Sequence, residues 1–182
     1  MVVVFLANGC EEIEALTQID VLRRGGVDVK GVSITANTVI KGAHGIDFMA
    51  DCTIFDIDFE NVEMVVLPGG LEGRNNLMNS REVVTVCKRF NEMGKKVAAI
   101  CASPSVLGEN GILKGKRAVC YPGFEEQCRG AEIVENANVV KDGNIITSRG
   151  PATAMEFGIE LLRELKGNEA AENTAAGLLL KK

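Results

Sequence analysis

Residues 96–104 read Lys-Val-Ala-Ala-Ile-Cys-Ala-Ser-Pro, and this stretch joins a short apolar run to an abrupt turn. The run 96–100 has the length and apolar character of a buried strand in a parallel sheet. Small residues on both sides of Cys101 permit a tight bend, and Pro104 suits an early position in a helix. We therefore predict a strand that leads directly into Cys101, followed at once by a helix.

The segments on either side of this stretch alternate between strand patterns and helix patterns. Such an order is typical of an α/β domain with a mostly parallel sheet between helices on both faces. Residues 38–50 are an excursion with short strands around Gly42 and Gly45. The predicted strands are 2–7, 28–34, 63–67, 96–100 and 117–120, with a hairpin at 139–146 that turns at Asp142-Gly143; the predicted helices are 10–24, 80–93, 104–108, a segment after Pro151, and 168–179.

Two of these helices carry apolar residues at helical spacing, a pattern that indicates the face packed on the core. The positions are Ile13, Leu16, Ile19 and Leu22 in the first helix, and Met155, Phe157, Ile159 and Leu162 in the helix after Pro151.

Length and composition are those of an ordinary globular protein. With 182 residues, of which 46% are hydrophobic and 25% charged, we expect a single domain over 1–182. The net charge of −5 and the scattered basic residues argue against a nucleic-acid partner. The apolar run 2–7 is too short to cross a membrane and has no basic flank, and Lys181-Lys182 is too short for a membrane-binding tail. We therefore expect a cytoplasmic protein without nucleic-acid or membrane partners.

Six cysteines and a single histidine restrict the metal and protease chemistry that is open to the chain. No Cys-x-x-Cys pair is present, so a zinc site is not expected and we predict no metal. A cysteine protease needs an imidazole beside its thiol, but His44 lies in the excursion and is expected to be a surface or interface residue. The other thiols are expected to be reduced: Cys87 is assigned to the core, Cys120 is either a core thiol or a resolving thiol near the cleft, and Cys10, Cys52 and Cys128 stay undecided.

Ligands of open parallel sheets bind outside the carboxyl ends of the strands, so the loops at that edge form the candidate site. Four segments reach this edge: 8–14, 68–73, 101–105 and 121–122. Cys101 is the candidate nucleophile among them, because N–H groups at the start of the following helix lower the pKa of a thiol. A buried structural cysteine is the alternative interpretation.

Two other features of these loops suit thiol chemistry. Glu11 and Glu12 are expected in a solvated cluster at the helix start, whereas Glu14 lies deeper and can point across the cleft. A carboxyl group beside a thiolate has a raised pKa, so we expect the pair to rest as thiolate and carboxylic acid. Gly69-Gly70 and the N–H group of Ala102 are candidates for an oxyanion hole, and a simple tight turn is the alternative for the two glycines.

Four motifs follow one another along the chain: Glu11-Glu12-Ile13-Glu14, Leu67-Pro68-Gly69-Gly70, Ala98-Ala99-Ile100-Cys101-Ala102 and Thr147-Ser148-Arg149-Gly150-Pro151. Together they resemble the ThiJ/PfpI superfamily, in the branch of the parkinsonism-associated deglycase (DJ-one). The likeness runs from Val2 through the C-terminal helix. It implies a flavodoxin-like three-layer sandwich, usually a homodimer, that works without a cofactor.

The resemblance also implies roles for single residues. Cys101 would be a nucleophile paired with a protonated Glu14, with backbone donors from Gly70 and Ala102. Two basic residues, Arg24 and Arg149, match positions near the dimer side of the site.

The sequence departs from the family pattern at two positions. Ala102 stands where many family proteases have a histidine directly after the nucleophile, which counts against peptidase activity. Tyr121, before Pro122, stands where the archetype of the branch has a histidine. A phenol can orient a substrate carbonyl, but it is a poor general base at neutral pH.

Two functions of different classes remain open. The first is a glyoxalase III or deglycase type of enzyme, in which Cys101 attacks methylglyoxal-like aldehydes or early glycated groups. The second is an oxidative-stress sensor or chaperone, in which the Cys101 thiol oxidises to sulfinic acid. A third label that often accompanies the family, thiazole monophosphate biosynthesis, has no support in the sequence, which lacks a Gly-x-x-x-x-Gly-Lys-Ser phosphate cradle.

Overall fold

Short strands and helices alternate along residues 1–180, the part of the chain that the computed structural model describes; Lys181 and Lys182 lie outside it. The strands are β1 (Val2–Leu6), β2 (Val29–Ser33), β3 (Val39–Lys41), β4 (Asp47–Met49), β5 (Cys52–Thr53), β6 (Met64–Leu67), β7 (Lys96–Ile100), β8 (Arg117–Ala118), β9 (Glu132–Ile133), β10 (Val139–Asp142) and β11 (Ile145–Ser148). The helices are α1 (Glu12–Arg24), α2 (Leu71–Asn79), α3 (Arg81–Glu92), α4 (Pro104–Glu109), α5 (Ala154–Lys166) and α6 (Asn168–Gly177).

One seven-stranded sheet organises the fold, in the order β10-β11-β7-β6-β1-β2-β5. Its strands are parallel except for β10, which runs antiparallel to β11. The predicted α/β class with a mostly parallel sheet is thus confirmed. Because β1, β6 and β7 are neighbours, their carboxyl ends bring the segments that follow them to the same edge of the sheet.

Side chains of successive strand residues point to opposite faces of the sheet and enter two separate hydrophobic cores. On one face, alternate residues of β1, β6 and β7 pack with Leu77 of α2, with Val83, Cys87 and Phe90 of α3, and with α4. On the other face, the intervening residues pack with Leu22 of α1 and with Phe157 and Leu162 of α5. Both faces are covered, which explains why these strands are apolar throughout instead of alternating with polar residues.

Helix α1 presents to the protein only part of the face that its apolar residues predicted. Ile13 and Leu16 are exposed by 55% and 41%, whereas Glu14 and Gln18 are completely buried. The Gln18 amide Nε2 donates a hydrogen bond to the carbonyl oxygen of Ala154 at 3.0 Å, which ties α1 to α5. The prediction was wrong for Ile13 and Leu16, and it was right for Leu22, which is buried, and for Ile19, which packs against the same core. Hydrophobic spacing cannot show that a polar stripe of a helix is buried and an apolar stripe is exposed.

Helix α2 is not predicted by the sequence pattern after Gly70. Its composition is polar and only Gly73 and Leu77 are buried, so it shows little apolar periodicity. A methyl group on Gly73 would lie 2.6 Å from the Cα atom of Cys10, so the helix packs directly on the backbone of the segment before α1. This close approach depends on the absence of a side chain at Gly73.

Smaller differences concern the C-terminal half. Met155 is 38% exposed, although it was predicted to face the core with Phe157, Ile159 and Leu162, which are buried. The predicted strand at 117–120 shortens to β8, which pairs with β9 in a separate two-stranded sheet. The hairpin of β10 and β11 is confirmed, and its two-residue loop is Gly143-Asn144, one position later than predicted.

Helix α6 packs on the outer side of α1 and α5, where Ala171 contacts Val21 and Ile159.

The helices α1 and α5 have 13 residues each. Within residues 1–180, no helix combines the length and the apolarity that a membrane crossing requires.

Candidate active site

The turn at Cys101 is the most constrained point at the edge of the sheet. Cys101 has φ of 67°, a left-handed conformation that is rare for a residue with a side chain. Its N–H group donates to the carbonyl oxygen of Ser148 at 2.9 Å, and its carbonyl oxygen accepts from the N–H group of Tyr121 at 2.7 Å. The predicted strand–turn–helix is thus confirmed, and hydrogen bonds on both sides of the residue hold a conformation that costs about 1–3 kcal/mol.

Glu14 reaches this turn from the first turn of α1. The side chain is completely buried, and its Oε2 atom accepts a hydrogen bond from the N–H group of Gly69 at 2.7 Å. The thiol of Cys101 lies within hydrogen-bonding reach of the same carboxyl group. A methyl group on Gly69 would lie 2.5 Å from Glu14 Oε2 and 3.0 Å from Cys101 Sγ, so the two side chains converge beside this glycine.

Backbone N–H groups of Gly70 and Ala102 lie close enough to the Cys101 sulfur to lower the pKa of the thiol. Gly70 has φ of 86°, and a methyl group there would lie 2.3 Å from the carbonyl oxygen of Gly9. Glycine is therefore required at this position for two reasons, the left-handed backbone and the close approach of Gly9. The structure thus brings together the four residues that the sequence analysis placed at the centre of the site, Cys101, Glu14, Gly70 and Ala102.

Burial controls the protonation of this pair. It raises the pKa of the Glu14 carboxyl from 4.5 to about 7, although hydrogen bonds from Cys101 and Gly69 lower it. Burial, followed by the charge of Glu14, raises the pKa of the Cys101 thiol to about 12, although the N–H groups of Gly70 and Ala102 lower it. The pair therefore loses one proton near pH 7, keeps the second to about pH 12, and carries one proton and one negative charge in between.

This result agrees with one expectation and corrects two. The predicted raised pKa of the Glu14 carboxyl is present. The predicted lowering of the Cys101 pKa by the following helix is outweighed by burial, since α4 has only six residues and contributes a weak dipole. The expected resting pair of thiolate and carboxylic acid is reversed, because the pKa of the Cys101 thiol lies above that of Glu14 and the thiol keeps the shared proton.

Glu11 and Glu12 were expected to be solvated but are buried, with 6% and 4% exposure. Glu11 caps α1, because its Oε2 atom accepts a hydrogen bond from the N–H group of Glu14 at 2.8 Å. Glu12 Oε1 accepts from the N–H group of His44 at 2.7 Å, and Glu12 Oε2 lies 2.9 Å from His44 Nδ1. Ligand atoms of these three residues lie within 4.8 Å of one another, as in a metal site, but the hydrogen bonds account for the cluster without a metal.

His44 therefore pairs with Glu12 and not with Cys101. Its side chain is 68% exposed, as expected for a surface or interface residue. Within this chain, no imidazole is placed to activate the thiol.

Tyr121 and Arg149 line a cavity of about 370 Å³ with Pro122, Asn138 and Thr153, and neither Cys101 nor Glu14 is among its lining residues. The N–H group of Tyr121 donates to the carbonyl oxygen of Cys101, which places this cavity beside the turn as the rim of the site. Arg24 is not brought to this place. It ends α1, ten residues after Glu14 and about 15 Å along the helix axis, and its Nε atom pairs with Asp20 at 2.7 Å.

Two contacts of the site were not found in the sequence. The N–H group of Gly69, expected to be free for a ligand, is used by Glu14, and the carbonyl oxygen of Ser148 anchors Cys101. Both involve backbone atoms, which have no signature in residue type. Ser148 belongs to the motif 147–151, and this motif is the one sequence feature that indicated that residues near Ser148 take part in the site.

The relatives of this chain share both its sequence pattern and its fold. The sequence model of the DJ-1/PfpI family matches residues 1–164. The chain belongs to this family. The dj-1beta protein of Drosophila melanogaster is 38% identical over 178 residues, which are 97% of this chain and 95% of the relative. DJ-1 homolog B of Arabidopsis thaliana is 38% identical over 181 residues, 99% of this chain but 41% of the relative, so the chain spans less than half the length of that protein.

Solved structures extend the family likeness to the backbone. Drosophila melanogaster DJ-1beta superposes with a TM-score of 0.95 at 37% identity, covering 100% of this chain and 98% of the other. Oxidized DJ-1 of Toxoplasma gondii superposes with a TM-score of 0.92 at 35% identity, with the same coverage. The resemblance to the DJ-1/PfpI family and the flavodoxin-like fold that it implied are therefore confirmed.

The raised pKa of Glu14 predicts how stability depends on pH. Between pH 4.5 and about pH 7 the folded protein keeps a proton that the unfolded chain releases, so the contribution of Glu14 to the free energy of unfolding decreases as pH rises. The decrease amounts to about 3 kcal/mol over this window. We expect Glu14→Gln, which does not titrate, to gain this amount relative to the wild type as pH rises.

Urea unfolding of both proteins across this pH window measures the difference. Glu92→Gln, at an exposed position on α3, is the control and should follow the wild-type curve. Parallel pH profiles for the wild type and Glu14→Gln would show that Glu14 keeps an ordinary pKa in the folded state.

Proposed function

We propose that the protein is a cofactor-independent glyoxalase or deglycase that converts methylglyoxal-like aldehydes to hydroxy acids at Cys101. The observation that supports this proposal is the convergence of a thiol, a carboxyl group with a pKa of about 7, and two N–H donors from Gly70 and Ala102 in one buried recess. A carboxyl group that titrates near neutral pH is well suited to move protons during catalysis.

The reaction starts with addition of the Cys101 sulfur to the aldehyde carbon, which forms a carbon–sulfur bond and places negative charge on the carbonyl oxygen. Above about pH 7 the single proton of the pair is on the Cys101 thiol, and it moves to the Glu14 carboxylate so that the sulfur attacks as a thiolate. The N–H groups of Gly70 and Ala102 stabilise the oxyanion. Protonation of that oxygen gives a hemithioacetal.

Glu14 then transfers a proton between the two adjacent carbons of the substrate. It removes the proton from the former aldehyde carbon and returns one to the former ketone carbon, through an enediol, which leaves a thioester on Cys101. Water hydrolyses the thioester, releases lactate from methylglyoxal, and restores the thiol. The overall change is the addition of one water molecule to methylglyoxal, without an external oxidant or reductant.

The rim of the site suits small carbonyl compounds and the early adducts that they form with amines and thiols. The cavity of about 370 Å³ is large enough for such groups, and Tyr121 and Arg149 offer a phenol and a guanidinium group to carbonyl or carboxylate oxygens. Peptidase activity is disfavoured, because His44 pairs with Glu12 and the residue after Cys101 is alanine.

Lactate formation from methylglyoxal tests this mechanism. We expect Cys101→Ala to abolish it and Glu14→Gln to reduce kcat about 10²–10⁴-fold, because the proton transfer is lost. The wild-type rate should increase as pH rises through about 7, where the pair loses its first proton. Cys52→Ser, on β5, is the matched thiol control and should keep the wild-type rate. Equal lactate production by the wild type and Cys101→Ala would exclude the proposal.

A second candidate function is oxidative sensing, with or without chaperone activity, at the same sulfur. Cys101 is 8% exposed, so peroxide can reach it, and the donors around the sulfur can bind the oxygens of a sulfinate. The Toxoplasma gondii relative has been solved in an oxidized form. The thiolate attacks peroxide to give a sulfenic acid and hydroxide, and a second peroxide converts the sulfenic acid to sulfinic acid.

Mass spectrometry after mild peroxide treatment distinguishes this function. We expect Cys101 to be the first residue to gain oxygen, and Glu14→Gln to accumulate less sulfinic acid because a donor to the sulfinate is altered. Cys52, which is half-buried, serves as the internal reference. If Cys52 gained oxygen before Cys101, exposure and not the site would control oxidation.

We also propose that the protein forms a homodimer through the exposed side of α1. Ile13 and Leu16 lie on this side of the helix. Glu12 accepts hydrogen bonds from the N–H groups of His44 and Ile46. These bonds hold the β3–β4 excursion, with its exposed Ile46, beside Ile13 and Leu16. Exposed apolar residues grouped in this way mark an interface. Arg24 lies one helical turn after Asp20 and two turns after Leu16, on the same side of α1. It would then lie at the dimer side, as the family resemblance implies.

Sedimentation equilibrium tests the dimer. We expect twice the chain mass of 19.5 kDa for the wild type and the single mass for Leu16→Glu, which buries a charge in the interface. Phe55→Glu, at a position that is 69% exposed outside this surface, should leave the wild-type mass unchanged. A monomeric wild type would contradict the proposal.

A further inference from the structure

A second pair of sulfur atoms lies outside the Cys101–Glu14 site. Cys120 and Cys128 are both buried, with 6% and 2% exposure, and their thiols lie close enough to shift each other's pKa. Neither is part of a disulfide, and both belong to the same hydrophobic core. The proposed reaction at Cys101 makes no use of them.

The backbone holds both ends of this pair in place. Before Cys120, the N–H group of Val119 donates to Thr147 Oγ1 at 3.0 Å, which ties the segment to β11. At the other end, a methyl group on Gly108 would lie 2.5 Å from the Cα atom of Cys128, so α4 packs directly on its backbone. The N–H group of Cys128 also donates to the carbonyl oxygen of Phe124 at 3.2 Å, inside the short loop that joins the two cysteines. The two chain segments that carry the sulfurs are therefore held in place by the fold.

The two thiols differ in acidity in the way that suits a nucleophile and its partner. The hydrogen bond with Cys128 lowers the pKa of Cys120 by more than burial and Glu125 raise it. The same hydrogen bond, together with burial, raises the pKa of Cys128. Among the six cysteines, Cys120 is the one whose pKa is lowered, since burial raises those of Cys10, Cys52 and Cys87.

Small oxidants have a path to Cys120. The residue lines a cavity of about 240 Å³, which Pro122, Glu125 and Arg149 also line. The cavity therefore offers one acidic and one basic side chain beside Cys120. Cys128 is not among the residues that line it, so Cys120 is the more accessible of the two thiols.

We propose that Cys120 and Cys128 form a reversible disulfide when the protein meets hydrogen peroxide, as a modification site separate from Cys101. The Cys120 thiolate attacks peroxide, which gives a sulfenic acid and hydroxide. The Cys128 thiol then displaces water from this sulfenic acid and forms the sulfur–sulfur bond. In total, two thiols and one hydrogen peroxide give one disulfide and two water molecules. A dithiol reductant reverses the step by thiol–disulfide exchange.

The position of the pair connects it to the Cys101 turn. Tyr121 follows Cys120 directly, and its N–H group is bonded to the carbonyl oxygen of Cys101 at 2.7 Å. On the other side, Gly108, which contacts Cys128, belongs to the helix that follows Cys101. A disulfide draws the two sulfurs to about 2.05 Å, so its formation changes the loop that carries Tyr121.

Peptide mapping tests the proposal without a variant of either cysteine. Cleavage after Arg117 and Arg129 releases residues 118–129, so both thiols lie in one tryptic peptide. The Cys101→Ala protein is treated with hydrogen peroxide, free thiols are alkylated, and the protein is digested. We expect this peptide to lose two hydrogen atoms and to resist alkylation, and dithiothreitol applied before alkylation should restore two alkylation sites. The peptide 82–88, which carries the buried Cys87, should stay alkylated throughout and is the internal control.

Single variants then separate the two steps. Cys128→Ser should stop the reaction at a sulfenic acid on Cys120, and Cys120→Ser should leave Cys128 alkylated. The proposal is overturned if peptide 118–129 is fully alkylated at peroxide levels that oxidise Cys101 in the wild type, or if it gains oxygen without losing hydrogen. The outcome does not depend on glyoxalase activity, because Cys101 is absent from the protein that is mapped.

Discussion

The hydrogen bond from the Gly69 amide to the Glu14 carboxyl joins the segment after β6 to the first turn of α1, in a place without solvent. An ionised carboxylate in such a place is costly unless it is hydrogen-bonded or shares a proton. The Gly69 amide bonds to Oε2 and the Cys101 thiol is within reach of the carboxyl, but Oε1 is buried without a hydrogen-bond partner. The carboxyl therefore titrates near pH 7, and it turns α1 so that its acidic stripe faces inward and Ile13 and Leu16 face outward.

The Cys101 turn depends on the same edge of the sheet. A residue with a side chain adopts φ of 67° only when its surroundings hold it there, and here β11 and the Tyr121 loop bind its two backbone polar groups. The sulfur is thereby aimed at Glu14 and at the N–H groups of Gly70 and Ala102. The strained backbone of Cys101 and the buried Glu14 carboxyl that shares a proton with the thiol lie in the same recess. The two cores on either side of the sheet keep this recess rigid.

The chain holds two sulfur sites whose partners suit different chemistry. Cys101 faces a carboxyl group that can carry its proton, an arrangement that favours reversible addition to carbonyl carbon. Cys120 faces a thiol, Cys128, so oxidation there has a disulfide as its end point instead of a higher oxide. The segment between Cys120 and Cys128 is also the one that bonds to the carbonyl oxygen of Cys101 and carries Tyr121 to the rim. Oxidation of Cys120 and Cys128 would therefore alter the position of the loop that borders the Cys101 site.

Residue order alone determined the alternation of strands and helices, the parallel sheet, and the strand–turn–helix at Cys101, because apolar runs, glycines and prolines act locally on the backbone. It also brought Glu14, Gly70 and Ala102 to the same edge, since the segments after β1, β6 and β7 must meet there. Tertiary structure alone decided which face of α1 is buried, that residues 71–79 form the helix α2, and that Cys120 lies near Cys128. In each case the deciding contact joins backbone or polar groups distant in sequence: Gln18 with Ala154, Gly73 with Cys10, and Gly108 with Cys128. Hydrophobic spacing shows where the apolar residues of a segment lie, but it does not show which distant part of the chain will contact that segment.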